Sequence, residues 1–265
     1  MNAYFQIITS MTGTAVKLVP ETDGGAKLDF AELMEYLRLK NIEIADAKPL
    51  YQAVEGLVAE VVVPVSIQVG LSAPETFQLK VSADKMEAVV RFYPPSSSGV
   101  SYSGKEAVIS DLKMSKIAYG IDEAAVEAYL AKRNYCEDIV IARGKEPVQG
   151  KDARIEYFFN TDLSAKPKRN EDGTVDFFHL DTINHCKEGD VLARLHKEVL
   201  GVDGYDVYGA AIRANKVRHL NLKYGRNIEL SEDGCVITSK LNGHVCLSMD
   251  EVVVSDVYEV ENVGP

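Results

Sequence analysis

The pattern that most constrains this chain occurs twice in its first half. Residues 3–69 and 75–141 each read as a strand, a tight turn, a returning strand, two short helices and a closing strand. In the first copy the paired strands run from Tyr4-Phe5-Gln6-Ile7 through Ala15-Val16-Lys17-Leu18 to Pro20. In the second they run from Thr76-Phe77-Gln78-Leu79 through Ala88-Val89-Val90-Arg91 to Pro94 and Pro95. A polar or glycine-rich break follows each, at 21–27 and at 96–104. Leu33 and Leu37 then match Val108 and Leu112 on a first amphipathic helix, and Leu50 and Val54 match Val126 and Leu130 on a second. Apolar strands near 57–63 and 137–141 close the copies. Internal repeats report architecture. This one predicts duplicated ββααβ modules over 1–72 and 73–143, away from a single enzyme core. Pro64, inside the first closing strand, predicts an edge position blunted against further pairing.

Beyond Arg143 the helical period fades. Gly144, Pro147 and Gly150 break the pattern. Turn dipeptides then recur: Asp172-Gly173, Asp203-Gly204, Asp233-Gly234 and Asn242-Gly243. Such pairs accept positive φ and suit tight hairpins. Between them lie strand candidates at 154–159, 175–179, 191–195, 227–230, 236–238, 244–247 and 252–260. Short, evenly spaced strands predict a β-rich barrel or sandwich-like domain over 144–265. The fold class is therefore α+β.

Charge and composition exclude several functions. Over 265 residues the chain carries 29 basic and 40 acidic side chains, a net charge of −11. Nucleic acid and anionic lipid demand a basic face, so neither is an expected partner. Lys166, Lys168 and Arg169 form the densest basic cluster and read as a solvated loop. No apolar run approaches the roughly 20 residues that span a bilayer. The N-terminus lacks a signal-peptide pattern. Cys136, Cys186, Cys235 and Cys246 show no CxxC spacing, which fits reduced thiols in a cytoplasmic protein.

Site chemistry is sparse. His185-Cys186 and His244-x-Cys246 hold zinc-type ligands, but neighbours on a strand face opposite sides, so His185 and Cys186 do not converge. Asp203 and Asp206 lack the rest of a calcium loop. Cys186 beside His185 is a poor nucleophile–base pair, because such pairs are assembled from distant segments. Lys240, before Leu241-Asn242-Gly243, lacks the flanking residues of a lipoyl or biotinyl carrier lysine, so Lys187-Glu188-Gly189-Asp190 reads as a β-turn. Residues 201–209 carry three glycines, yet neither a P-loop lysine nor a following helix. No metal, cofactor or catalytic residue is assigned, and the expected chain is not an enzyme.

The order and spacing of several motifs resemble the bacterial FapA family, flagellar assembly protein A, from about Gln78 to Gly264. These are Met86-Glu87-Ala88 with Pro94-Pro95; Ile117-Ala118-Tyr119-Gly120-Ile121-Asp122; and Ala142-Arg143-Gly144-Lys145-Glu146-Pro147-Val148-Gln149-Gly150-Lys151-Asp152. Downstream come Asp172-Gly173-Thr174-Val175-Asp176-Phe177, Gly189-Asp190-Val191-Leu192-Ala193, and the longest, Gly201-Val202-Asp203-Gly204-Tyr205-Asp206-Val207-Tyr208-Gly209. Gly225-Arg226-Asn227-Ile228 and Glu232-Asp233-Gly234 complete the series. Two departures stand out. Ala153 follows Gly150-Lys151-Asp152 where many members have glycine, and the usual C-terminal β-helix does not follow Val263-Gly264, as in a truncated or short relative. The first copy lies mostly outside the match. The resemblance implies a cytoplasmic protein of flagellar assembly or placement, without established catalysis, whose partners are proteins of the flagellar or cell-pole machinery.

Read together, these features predict a non-enzymatic assembly or scaffold protein that acts through protein contacts, with a homo-oligomer left open. Tyrosines supply amphipathic interface area, and exposed edges of the repeats could accept a partner strand. The binding residues expected are Gly201, Asp203, Gly204, Tyr205, Asp206, Tyr208 and Gly209, with Tyr205 and Tyr208 exposed. The alternative is a small-molecule or glycan-binding β-domain with 201–209 as the mouth of a pocket.

Overall fold

A computed structural model describes residues 1–161 and 184–256. Its chain divides into two compact units. The first comprises Met1–Pro147 and Asp203–Arg213, the second Val148–Val202 and the chain from Ala214 onward.

The first unit opens with β1 (Tyr4–Ser10), β2 (Gly13–Val19), α1 (Phe30–Leu39), α2 (Lys48–Glu55) and β3 (Val61–Ser66). The same order recurs in β4 (Thr76–Val81), β5 (Glu87–Tyr93), α3 (Lys105–Met114), α4 (Glu123–Ala131) and β6 (Asp138–Arg143). Each set forms an antiparallel three-stranded sheet with its second strand central: β1-β2-β3 and β4-β5-β6. Pro64 sits on β3 at a sheet edge, where its missing N–H removes no ladder bond. The strand begins at Val61, later than the predicted 57–63, because Gly56 caps α2 and an irregular stretch follows.

Local chemistry explains the helices. Asp29 accepts a hydrogen bond from the Ala31 N–H and starts α1; Asp122 accepts from Ala125 and starts α4. Pro49 lies in the first turn of α2, where its lost N–H costs nothing. Helices α1 and α3 end alike. Asn41 (φ 55°) and Lys116 (φ 69°) turn left-handed, and the N–H groups of Ile42 and Ile117 reach back to Leu37 and Leu112, closing a Schellman-type cap over a buried isoleucine.

Two apolar clusters fill this unit. One gathers Phe5, Ile7, Val16, Leu18, Leu33, Leu37 and Leu50, and draws in Tyr93 and Cys136 from the second set of elements. Phe5, Tyr36 and Tyr93 meet with ring centroids 4.7–5.7 Å apart. The other gathers Phe92, Val108, Leu112, Ile117, Val126 and Tyr129, with Tyr129 stacked on Phe92 at 3.7 Å. Glu75, between β3 and β4, has a fully buried side chain. One carboxylate oxygen accepts from the Tyr129 hydroxyl and the other from the Tyr102 N–H at 2.8 Å. Burial first, and then Glu75, push the Tyr129 hydroxyl far above its ordinary value.

The second unit contains β7 (Arg154–Tyr157), β8 (Asn184–Cys186), β9 (Val191–His196), β12 (Ile228–Leu230), β13 (Val236–Ser239), β14 (Gly243–Ser248) and β15 (Glu251–Asp256). Strands β10 (Gly204–Tyr205) and β11 (Ala211–Ile212) belong to the first unit. Sheets β12-β13-β9-β7 and β15-β14-β8 surround Leu192, Ala193, Ile228, Ile237, Val245, Val252 and Val254. Among the described residues these small sheets do not close into a barrel, which corrects the barrel alternative, while the β-rich character of the region holds. The fold is mixed α+β. Asp233-Gly234 makes the expected turn, with Gly234 at φ 69°. Asp203-Gly204 does not: Gly204 starts β10. The predicted strand at 175–179 and the basic cluster Lys166, Lys168 and Arg169 lie outside the described residues.

Candidate functional site

The 201–209 segment divides between the units. Gly201 and Val202 lie in the second, where Val202 and Val148 exchange backbone hydrogen bonds of 2.9 Å. Asp203–Gly209 lies in the first. There Tyr205 and Lys145 exchange two backbone bonds of 2.7 Å, and Tyr205 pairs with Ala211 across β10 and β11. Glycine is required at 204 by close approach: a Cβ there would sit 2.1 Å from the Lys145 carbonyl oxygen. At Gly209 it is required by φ of +83°.

Between these glycines the segment is anchored. Val207 is fully buried in the Phe92–Leu112 cluster. Its N–H donates to the Lys85 carbonyl, and its own carbonyl accepts from Ala118 and Tyr119. Asp206 is buried, and its Oδ1 accepts from the N–H groups of Tyr208 (2.9 Å) and Ala210 (2.8 Å). That carboxylate serves the turn, so the loop offers little to a calcium ion. What faces outward is aromatic. Tyr205 is 39% exposed and Tyr208 38%. The Tyr205 ring stacks on Tyr119 with centroids 5.2 Å apart. The segment is a fastened hairpin that displays two tyrosines.

The histidine and cysteine positions arrange themselves differently. His185 pairs in register with His244 across β8 and β14. Cys186 faces the other way, buried, with its Sγ 3.6 Å from both Ser239 Oγ and the Gly243 carbonyl. Among the described residues no three of His, Cys, Asp or Glu are placed to hold a metal ion.

A cleft of about 400 Å³ lies between α1 and the β4–β5 strands, lined by residues such as Glu32, Tyr36, Lys40, Phe77, Lys80 and Arg91. None of residues 201–209 lines it. Its floor comes from strand alternation. Phe77, Leu79 and Val81 pack on the second apolar cluster, which turns Thr76, Gln78 and Lys80 to the opposite face. Arg91 sits opposite Gln78 on β5. The Tyr93 hydroxyl donates to Glu32 Oε1 at 2.7 Å. Arg91 Nε lies 3.1 Å from the same oxygen, too bent for a hydrogen bond, while Arg91 Nη2 donates to the Cys136 carbonyl. Burial, then the Glu32 carboxylate, raise the Tyr93 hydroxyl strongly. Burial likewise raises Tyr36 to about 12 and Cys136 to about 12. No local motif announces this cleft. The alternation of β4 was legible, but the α1 wall arrives from a distant stretch of chain.

With this geometry in place, comparison with known families gives a match to the Flagellar Assembly Protein A N-terminal region over residues 77–250. The match covers more than half of the chain, and the chain belongs to that family. It takes in β5 through β14 and leaves β1–β3 outside. Comparison with curated proteins and with solved structures gives no match.

Proposed function

We propose that the chain serves flagellar assembly as a non-enzymatic scaffold that works through protein contacts. Membership of the flagellar assembly protein A family carries the proposal. The fastened hairpin supports it, because Tyr205 and Tyr208 are held on a backbone anchored at Lys145, Lys85 and Ala118. Rigid, half-exposed aromatic rings lose little entropy on binding and suit an interface anchor. The partners are proteins of the flagellar or cell-pole machinery, met in the cytoplasm, which accords with four free thiols.

The modules over 1–72 and 73–143 descend, in this reading, from one duplicated ββααβ unit, and 144–265 is a separate β-rich region. Shared element order, shared sheet order and the matched helix ends at Asn41 and Lys116 support the duplication.

Deletion of the coding sequence in its own bacterium, with flagella counted and located by electron microscopy, tests the function. The expected result is a loss or misplacement of flagella that the wild-type gene restores. Normal flagella in the deletion strain would refute the flagellar role.

A further inference from the structure

The two three-stranded sheets of the first unit have four outer strands, and three are closed to a new neighbour. Ser97 covers β1, donating its N–H to the Ile7 carbonyl while its Oγ accepts from the Thr9 N–H. β3 carries Pro64, and its Val65 carbonyl already accepts from Ala45. β6 is covered by Gly120–Asp122: Asp122 donates to Ile141, and Arg143 donates to Gly120. Among the described residues β4 has none of these devices. It pairs with β5 alone, six residues long and without proline. Natural edges are usually blunted or covered, so a bare one is informative.

The ladder shows which backbone groups are open. Ser82 donates to Glu87, so the alternate residues Lys80, Gln78 and Thr76 turn their amides toward β5. Phe77, Leu79 and Val81 therefore present theirs to the free edge. Phe77 also lines the cleft, so edge and cleft are continuous.

The charges of the cleft favour one sign of ligand. Its acidic groups are engaged: Glu32 by Arg91 and Tyr93, Glu35 by Arg38, and Asp29 by the α1 N-terminus. Arg91 is engaged by Glu32 and Asp138. Lys40 and Lys80 have no carboxylate partner among the described residues. Lys40 instead lies 5.4 Å over the Tyr36 ring, and its partial burial lowers its pKa. The −11 net charge does not decide the matter, because charges beyond roughly 8 Å are largely screened at physiological salt. Lys80, repeated on both strands, disfavours a second copy on this edge.

We infer that β4 receives an extended acidic peptide of a partner protein as an added strand, with its carboxylates against Lys40 and Lys80. An added strand supplies main-chain bonds for affinity and alternate side chains for specificity. Apolar peptide residues stand beside Phe77, Leu79 and Val81, and carboxylates alternate with them into the cleft. This rests on the protein-contact function proposed above.

The test uses the full chain and an acetylated, amidated heptapeptide alternating valine with glutamate. One control replaces glutamate by lysine; a second is N-methylated at its valines, which keeps charge but removes the edge bonds. Amide exchange read by NMR should slow at Phe77, Leu79 and Val81 with the glutamate peptide alone. Lys80→Glu, a change at an exposed side chain, and Lys40→Gln should together weaken binding at least about tenfold. Equal protection by either control overturns the proposal, as does concentration-dependent protection of these amides without peptide, which would mean a second copy. If the glutamate peptide gives no protection while a flagellar partner still co-purifies, the edge assignment fails and the scaffold function stands.

Discussion

The first unit sets helices against two three-stranded sheets and fully buries Phe5, Phe92, Leu33, Leu37 and Leu112. The second gathers short strands around smaller side chains, chiefly Val245, Val252, Val254, Ile237 and Ala193. In the first, large apolar volumes and a buried carboxylate specify the packing. In the second, β-branched side chains between two small sheets specify it. Large buried side chains leave large cavities when truncated, whereas small ones leave little to lose. The contrast teaches where each unit is vulnerable, and it can be broken by measurement.

The largest effect belongs to the first unit. Phe92→Ala removes a ring stacked on Tyr129 and should cost about 3–5 kcal/mol in denaturant unfolding. A loss below about 1 kcal/mol would mean that this cluster does not hold the unit as described. Next comes Glu75→Gln. The amide preserves shape but turns one acceptor into a donor facing Tyr129 or the Tyr102 N–H, for a loss of about 1–3 kcal/mol. Wild-type stability would show that the buried carboxylate is dispensable. In the second unit Ile237→Val should cost only about 0.5–1.5 kcal/mol. A loss matching that of Phe92→Ala would erase the contrast.

The smallest effects concern pH, and their signs differ between the units. Burial, and next the Glu32 charge, raise Cys136 from an ordinary 9.0 to about 12; burial raises Tyr36 from 10.0 to about 12. Raised values mean that the folded state holds its protons longer. Their stabilisation is fully present below pH 9 and is lost as pH rises toward 12. In the second unit the His196 and His219 rings, by hydrogen bonding, lower Glu156 and Glu198 below the ordinary 4.5. That contribution is present above 4.5 and is lost as pH falls through the lowered values. Thermal melts across pH should therefore show an alkaline decline that is smaller in Cys136→Ser, and an acid decline, slight because Glu156 is exposed and Glu198 half-buried, that is smaller in His196→Ala.

Much of the first unit was legible because each level of its sequence agrees. Asp29 caps the helix that carries Leu33 and Leu37, Asp122 caps the one that carries Val126, Val108 and Leu112 recur at helical spacing on the helix between them, and Phe5, Ile7, Val16 and Leu18 alternate on strands. The segment 201–209 was harder to read. A glycine before tyrosine looks like an exposed turn, yet Gly204 is demanded by the Lys145 carbonyl and Val207 by a core built from β5, α3 and α4. Exposure of Tyr205 and Tyr208 was legible; burial of Asp206 between them was not, since it depends on which backbone N–H groups the turn presents. The cleft above β4 was least legible of all. Lys40 and Lys80 become neighbours of one space only through tertiary packing.

The central claim is that this chain works by holding other proteins, and affinity co-purification from lysate of its own bacterium, read by mass spectrometry, tests it most directly. Wild type would be run beside Tyr205→Ala with Tyr208→Ala and beside Lys40→Gln with Lys80→Glu. A flagellar or cell-pole protein should be retained reproducibly by wild type and lost from at least one variant. Retention of no protein above an empty-matrix control would contradict it.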